Sequence, residues 1–313
     1  MIQRRNWRFL SRPLLAACAL VSGVARAESA PLNPDTEYVI VVLENSASMN
    51  VPGSSSATKW QLAKWRVNQF LSLPARNRRS ALWTYSGTSV TQLSPFQESP
   101  LTRSALNSVV QDTLTPGAPF AAAICDAALE LESNAAVPAL ASKRILIQSS
   151  GTADISPQSH ACSGATSSAA YPLFEPESWQ AKLRARLRPA PSPEQDALFR
   201  SLVDVDQYRE FLAGSVASAL SPLELFAAAI SAESGGYPTR FELAAADTPL
   251  PRFGDTNKDG CTDTLDLTEV QLWANEELSP SQPLLRRLDV NRDGAVDNFD
   301  FQVNVSTFGC GVP

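Results

Sequence analysis

Two twelve-residue stretches, DTNKDGCTDTLD at 255–266 and DVNRDGAVDNFD at 289–300, limit what the C-terminal end of this 313-residue chain can fold into. They match at loop positions 1, 3, 5, 6, 9 and 12, with a period of 34 residues. Oxygen-bearing side chains at positions 1, 3 and 5 converge as the backbone wraps around a cation. Glycine at position 6 permits the sharp turn, position 7 supplies a backbone carbonyl, and position 12 closes the shell. The expected ligands are Asp255, Asn257, Asp259, the Cys261 carbonyl, Asp263 and Asp266 in the first loop. In the second they are Asp289, Asn291, Asp293, the Ala295 carbonyl, Asp297 and Asp300. All are hard oxygens, the donors that suit Ca²⁺, and two ions are expected.

Helical spacing follows each loop, at Leu267, Val270 and Ala274 and again at Phe301, Val305 and Phe308. An ordinary EF-hand ends its loop in Glu and has a helix before it. Here position 12 is Asp, and Pro249 and Pro251 stand where the first incoming helix would be. Thrombospondin type 3 repeats continue into further loops rather than a helix. A loop followed by a helix, duplicated, resembles a type I dockerin module over roughly 253–310. The resemblance implies calcium-dependent docking to a protein partner, cohesin-like in kind. It places loop positions 10 and 11, Thr264, Leu265, Asn298 and Phe299, on the contact surface. The residues alone equally allow Leu265 and Phe299 to pack against the paired motif.

Upstream, strand and helix patterns alternate. Residues 38–43, YVIVVL, are a continuous apolar run, the mark of a strand buried on both faces. Strands are also expected over 81–85, 144–147 and 239–243. Helices are expected over 59–71, 102–110, 120–131, 179–187, 208–220 and 223–232. The alternation predicts an α/β fold, a doubly wound, mostly parallel, Rossmann-like sheet with helices on both faces. A small C-terminal α module of two calcium-loop-helix repeats completes it. No fifth parallel strand is evident between Ser150 and Ser221. Ligands of such sheets sit at the carboxyl ends of the strands, here ENSASM at 44–49 and QSSG at 148–151.

VIVVLENSASM resembles the first strand and loop of a von Willebrand factor A-type domain, whose Asp-x-Ser-x-Ser run opens a metal-ion-dependent adhesion site. The resemblance continues through KWQLAKWRVNQFLSL, ALWTYSG, TPGAPFAAAICDAALELE, RILIQSSG and SAESGGYPTRFEL, most of residues 37–243. It implies a site built from positions 44, 46, 48, 118 and 150. Ser46 and Ser48 keep the pattern, but Glu44 replaces an Asp, Ala118 a Thr and Ser150 an Asp. A divalent ion needs more negative charge than remains. The expectation is a degenerate site without metal, its hydroxyls satisfying backbone groups.

Arg4, Arg5, Arg8 and Arg12 precede an apolar run from Leu14 to Val24, and Ala-Arg-Ala follows at 25–27. This is the three-part pattern of a secretory signal peptide, too short to span a bilayer. The chain is expected to be exported, to the secreted, cell-surface or periplasmic space, with no transmembrane segment. Lipid anchoring at Cys18 is a minor alternative. Beyond residue 27, 21 basic residues face 32 acidic ones, which excludes the basic footprint of a nucleic-acid binder. The remaining cysteines suggest two disulfides in an oxidising compartment. Sequence position favours Cys125–Cys162 and Cys261–Cys310, one in each half.

His160 is the chain's single histidine, so sites needing two imidazoles are excluded. Within a Ser/Pro-rich stretch it reads as a solvated loop residue rather than a base. The carboxylates are concentrated in the calcium loops, and no acid/base pair is assignable. The expected division is a signal peptide at 1–27, an A-type-like domain at 28–247 with a surface insertion near 150–195, and a linker with docking module at 248–313. These readings converge on an exported, non-catalytic binding or scaffold protein. A component of an extracellular polysaccharide-degrading complex and a metal-dependent adhesin are the alternatives.

Overall fold

The computed structural model describes residues 33–51, 57–75, 77–138, 141–188, 201–210, 220–243, 253–256, 261–272, 276–277, 288–292 and 295–310. The expected signal peptide, Cys18, Pro249, Pro251 and the expected ligands Asn257, Asp259 and Asp293 lie outside them.

β1 (Asn33–Glu44) lies inside a sheet of order β3-β2-β1-β4-β5-β6. The other strands are β2 (Asn77–Ser86), β3 (Ser89–Glu98), β4 (Ala141–Ser149), β5 (Leu202–Glu210) and β6 (Pro238–Leu243). Every pairing is parallel except that of β2 with β3. The mostly parallel α/β sheet expected from the sequence is therefore present. Because successive side chains alternate faces, Val39, Val41 and Leu43 point to one side. There they meet α1 (Lys59–Ser72) and α2 (Ser99–Ser108). Ile40 and Val42 point to the other, against α3 (Phe120–Ser133), α4 (Trp179–Leu187) and α5 (Pro222–Ser234).

Three expectations are corrected. Residues 208–210 end a strand rather than begin a helix, because β5 is the fifth parallel strand. Its sequence, LVDVDQYRE, hides the apolar run: Val203 and Val205 enter one core, while the opposite face buries Asp204, Asp206 and Tyr208. β3 was not foreseen; its exposed side chains and Pro95 suit an edge strand. The described part of the Ser/Pro-rich segment, 150–188, is more than a surface insertion. Its Trp179, Leu183 and Leu187 are buried against α3 and α5, Trp179 edge-on to Phe226 at 4.9 Å between centroids. Cys162 within it is bonded to Cys125 of α3.

The C-terminal module repeats one plan. β7 (Cys261–Thr262) precedes α6 (Thr264–Leu272), and β9 (Ala295–Val296) precedes α7 (Asn298–Ser306). β7 pairs antiparallel with β10 (Gly309–Cys310), and the Cys261–Cys310 disulfide bridges that pair. β8 (Glu276–Glu277) pairs with β9. Val270, Leu288, Val290, Val296 and Val303 form the interior. The helical face expected after Asp300 is shifted: Val303 is buried, whereas Val305 and Phe308 are exposed. Gly254 sits at φ +97°, and a Cβ there would meet the Thr307 hydroxyl at 2.7 Å. Only glycine lets the entering chain pass this close to the end of α7.

Candidate functional site

The second calcium loop and the loop after β1 occupy opposite ends of the sheet. In each calcium loop the position-12 carboxylate, fully buried, draws the ends of the loop together. Asp266 accepts from the Thr256 amide at 2.8 Å and the Asp263 amide at 2.9 Å. Asp300 accepts from the Asn291 amide at 3.1 Å and the Asp297 amide at 2.8 Å. Asp297 also caps α7, with Asp300 completing the capping box. One sequence rule thus yields the same closure twice. The described ligand candidates Asp255, Asp263, Asp266, Asp289, Asn291, Asp297 and Asp300 are each half-buried or buried. A donor set of carboxylates, one amide and backbone carbonyls fits a hard cation. The residues around these loops expose Thr264, Leu265 and Asn298 and half-bury Phe299. Leu265 is 62% exposed and Leu272, one helical face along, 75%. In this structure, therefore, Leu265 does not pack into the paired motif.

At the other end, Glu44 closes β1 and Ser149 closes β4. The Glu44 carboxylate is buried and fully engaged. Oε1 accepts from the hydroxyls of Ser46 and Ser150, both at 2.6 Å. Oε2 accepts from the Ser150 amide at 2.6 Å and the Ser149 hydroxyl at 3.2 Å. The extra methylene carries this carboxylate in among the hydroxyls that a cation would otherwise gather. Ala118 is buried two residues before α3 and bridged to Asp154, while Ser48 is half-buried. Burial and the charge of Glu44 push the Tyr85 phenol well above its ordinary range. Asp154 is raised by burial, although it accepts from the Ala121 amide at 2.9 Å.

His160 is anchored rather than solvated. Its Nε2 lies 3.0 Å from Asp126 Oδ1, and its Nδ1 accepts from the Cys162 amide at 3.1 Å. That arrangement braces the loop carrying the Cys125–Cys162 bridge.

Sequence reasoning missed a charge network at the amino ends of the strands. Glu37 of β1 accepts from Arg78 Nε at 2.7 Å and Arg144 Nε at 2.8 Å. Arg144 reaches Asp204 of β5 at 2.7 Å, and Asp204 also meets Arg292 of the second calcium loop at 3.2 Å. All five side chains are buried. The available signal was charge inside apolar strands: Arg144 opens RILI, and Asp204 interrupts LVDV.

Residues 253–303 match the family model described as dockerin type I domain. Similar solved structures include the SpRpn10 VWA domain, 15% identical, with TM-score 0.42, covering 66% of this chain and 89% of that one. BatB from Bacteroides thetaiotaomicron is 12% identical with TM-score 0.42, covering 66% and 90%. An aerotolerance-related membrane protein from Bacteroides fragilis is 14% identical with TM-score 0.41, covering 65% and 90%. The search of curated proteins finds no match. No helix among the described residues is long and apolar enough to cross a membrane.

Proposed function

We propose that this chain is an exported, non-catalytic docking protein. Its C-terminal module folds around two Ca²⁺ ions and offers a protein-binding face, and its α/β domain carries a metal-free A-type site. The observation that carries this reading is the repeated loop closure by Asp266 and Asp300 within the dockerin-matched segment. The exposed Thr264, Leu265 and Leu272 supply a mixed polar and apolar surface suited to a cohesin-like partner. The first 27 residues would direct export and be removed before Glu28.

Two expected results test the two halves. Full chain immobilised in calcium should retain a cohesin-type module, and chelation should release it. Leu265→Asp should weaken that binding at least about tenfold, because a desolvated carboxylate would face the contact. Equal retention with and without calcium would overturn the docking role.

The metal-free reading of the A-type site rests on Glu44 already holding the serine hydroxyls. With calcium saturating, the wild-type chain should take up no additional Mn²⁺ below about the millimolar range. Ala118→Thr with Ser150→Asp sets a second carboxylate against Glu44, a repulsion that a divalent ion relieves. That variant should melt lower in chelator and recover on adding Mn²⁺. Tight Mn²⁺ binding by the wild type would favour the adhesin alternative instead.

A further inference from the structure

The two calcium loops share one motif but not one setting. The second is seated on the base of the sheet, and the α/β domain holds its positions 1, 3 and 4. Tyr237, just before β6, donates its hydroxyl to the Asp289 carbonyl at 3.3 Å. Arg78 of β2 donates to the Asn291 carbonyl at 2.7 Å. Asn291 in turn donates its side-chain amide to the Pro74 carbonyl at 3.2 Å. Arg144 of β4 donates to the carbonyl of Arg292, whose side chain returns to Asp204.

The bond to Pro74 has a consequence for the cation. It holds the Asn291 side-chain amide from outside the loop and so fixes the orientation of the group at ligand position 3. Partners behind a ligand set its orientation and change metal affinity in other sites. Asp289, at position 1, is fixed through its own backbone by Tyr237. Arg292 adopts φ 61°, a left-handed conformation that a residue with a Cβ rarely takes. The arginine contacts on both its carbonyl and its guanidinium hold it there, and strained backbone held by its surroundings is a recognised mark of functional positions.

From this geometry we infer that the second calcium loop is an interdomain clasp: the α/β domain pre-arranges the second ion's ligands, and that ion fastens the module to the sheet base. This rests on the calcium reading proposed above. The coupling must be reciprocal, because docking that raises ion affinity is itself favoured by the ion to the same factor. Arg78, Arg144 and Tyr237 bond to the second loop, and none of their hydrogen bonds or ion pairs goes to the described residues of the first. The first ion should therefore be insensitive to them.

The test is calorimetric titration of Ca²⁺ into chelator-stripped full chain. The wild type should bind two ions. Arg78→Met with Tyr237→Phe should weaken one ion by about fivefold or more, within the usual range of site coupling, and leave the other unchanged. Calcium should also raise the melting temperature of the α/β domain, followed by its buried tryptophans, and less so in the variant. Unchanged affinities for both ions in a folded double variant would overturn the clasp while leaving calcium binding intact. No calcium uptake by the wild type would remove the calcium reading and the clasp with it. If the double variant does not fold, Tyr237→Phe alone carries the same comparison, and equal affinities there would count against the clasp.

Discussion

Arg144→Met is expected to cost the folded chain about 3–5 kcal/mol, the range seen when one partner of a buried ion pair is removed. Arg144 is 1% exposed and is bonded to Glu37 at 2.8 Å and Asp204 at 2.7 Å. Methionine fills a similar volume but leaves both carboxylates short of a donor in a site that water does not reach. The effect should depend on pH. Burial alone would raise the Asp204 pKa, yet the charges of Arg144 and Arg292 outweigh it and hold the carboxyl below its ordinary range. A carboxyl depressed in this way stabilises the fold above its unfolded value of about 3.9 and loses that contribution as pH falls through the folded value. The deficit of the variant should thus be full at neutral pH and narrow below about pH 4, where Asp204 can take a proton. Urea melts at the two pH values measure it. A deficit under about 1 kcal/mol at neutral pH would show that the surrounding residues rearrange to re-pair the carboxylates.

Cys261→Ser with Cys310→Ser is the second large change. The bridge closes a separation of 49 residues, for which the chain-entropy account gives about 4 kcal/mol. The module it staples spans a few dozen residues, too short for an ample core of its own. The bridge also ties β7, within the first calcium loop, to β10, after α7. Losing it should release the entire C-terminal module rather than one strand pair. The expected readout is loss of the calcium-dependent part of the melting curve and rapid proteolysis beyond residue 253, with the α/β domain still folded. Removing the Cys125–Cys162 bridge should act oppositely, weakening the α/β domain and sparing the module. If the Cys261/Cys310 variant retained both ions at wild-type affinity, the core around Val270 and Val303 would be sufficient without the staple.

The sequence determined the parts whose chemistry is local. A twelve-residue loop has its expected ligands within its own span, so Asp266 and Asp300 stand out at position 12 before any fold is known. The central strand was equally legible, because YVIVVL is buried on both faces and shows no polar residue to obscure it. The two disulfides followed from one pair falling in each half. Glu44, Ala118 and Ser150 are legible as departures from the adhesion-site pattern that the segment resembles, since residue type alone counts charge.

Only the tertiary structure decided where charge could be buried. Asp204 and Asp206 conceal β5 from any apolar pattern, because their cost is offset by Arg144, Arg66 and Arg292, which come from elsewhere in the chain. The burial of Val303 instead of Val305 depends on which side of α7 meets α6, and the alternating sequence of that helix does not say. The bonding of Ser150 to the Glu44 carboxylate needs β1 and β4 side by side, 106 residues apart in the chain. The seating of the second calcium loop on the sheet base has the same origin. Two loops with the same motif differ only in what lies beside them, and neighbours distant in sequence are supplied by the fold.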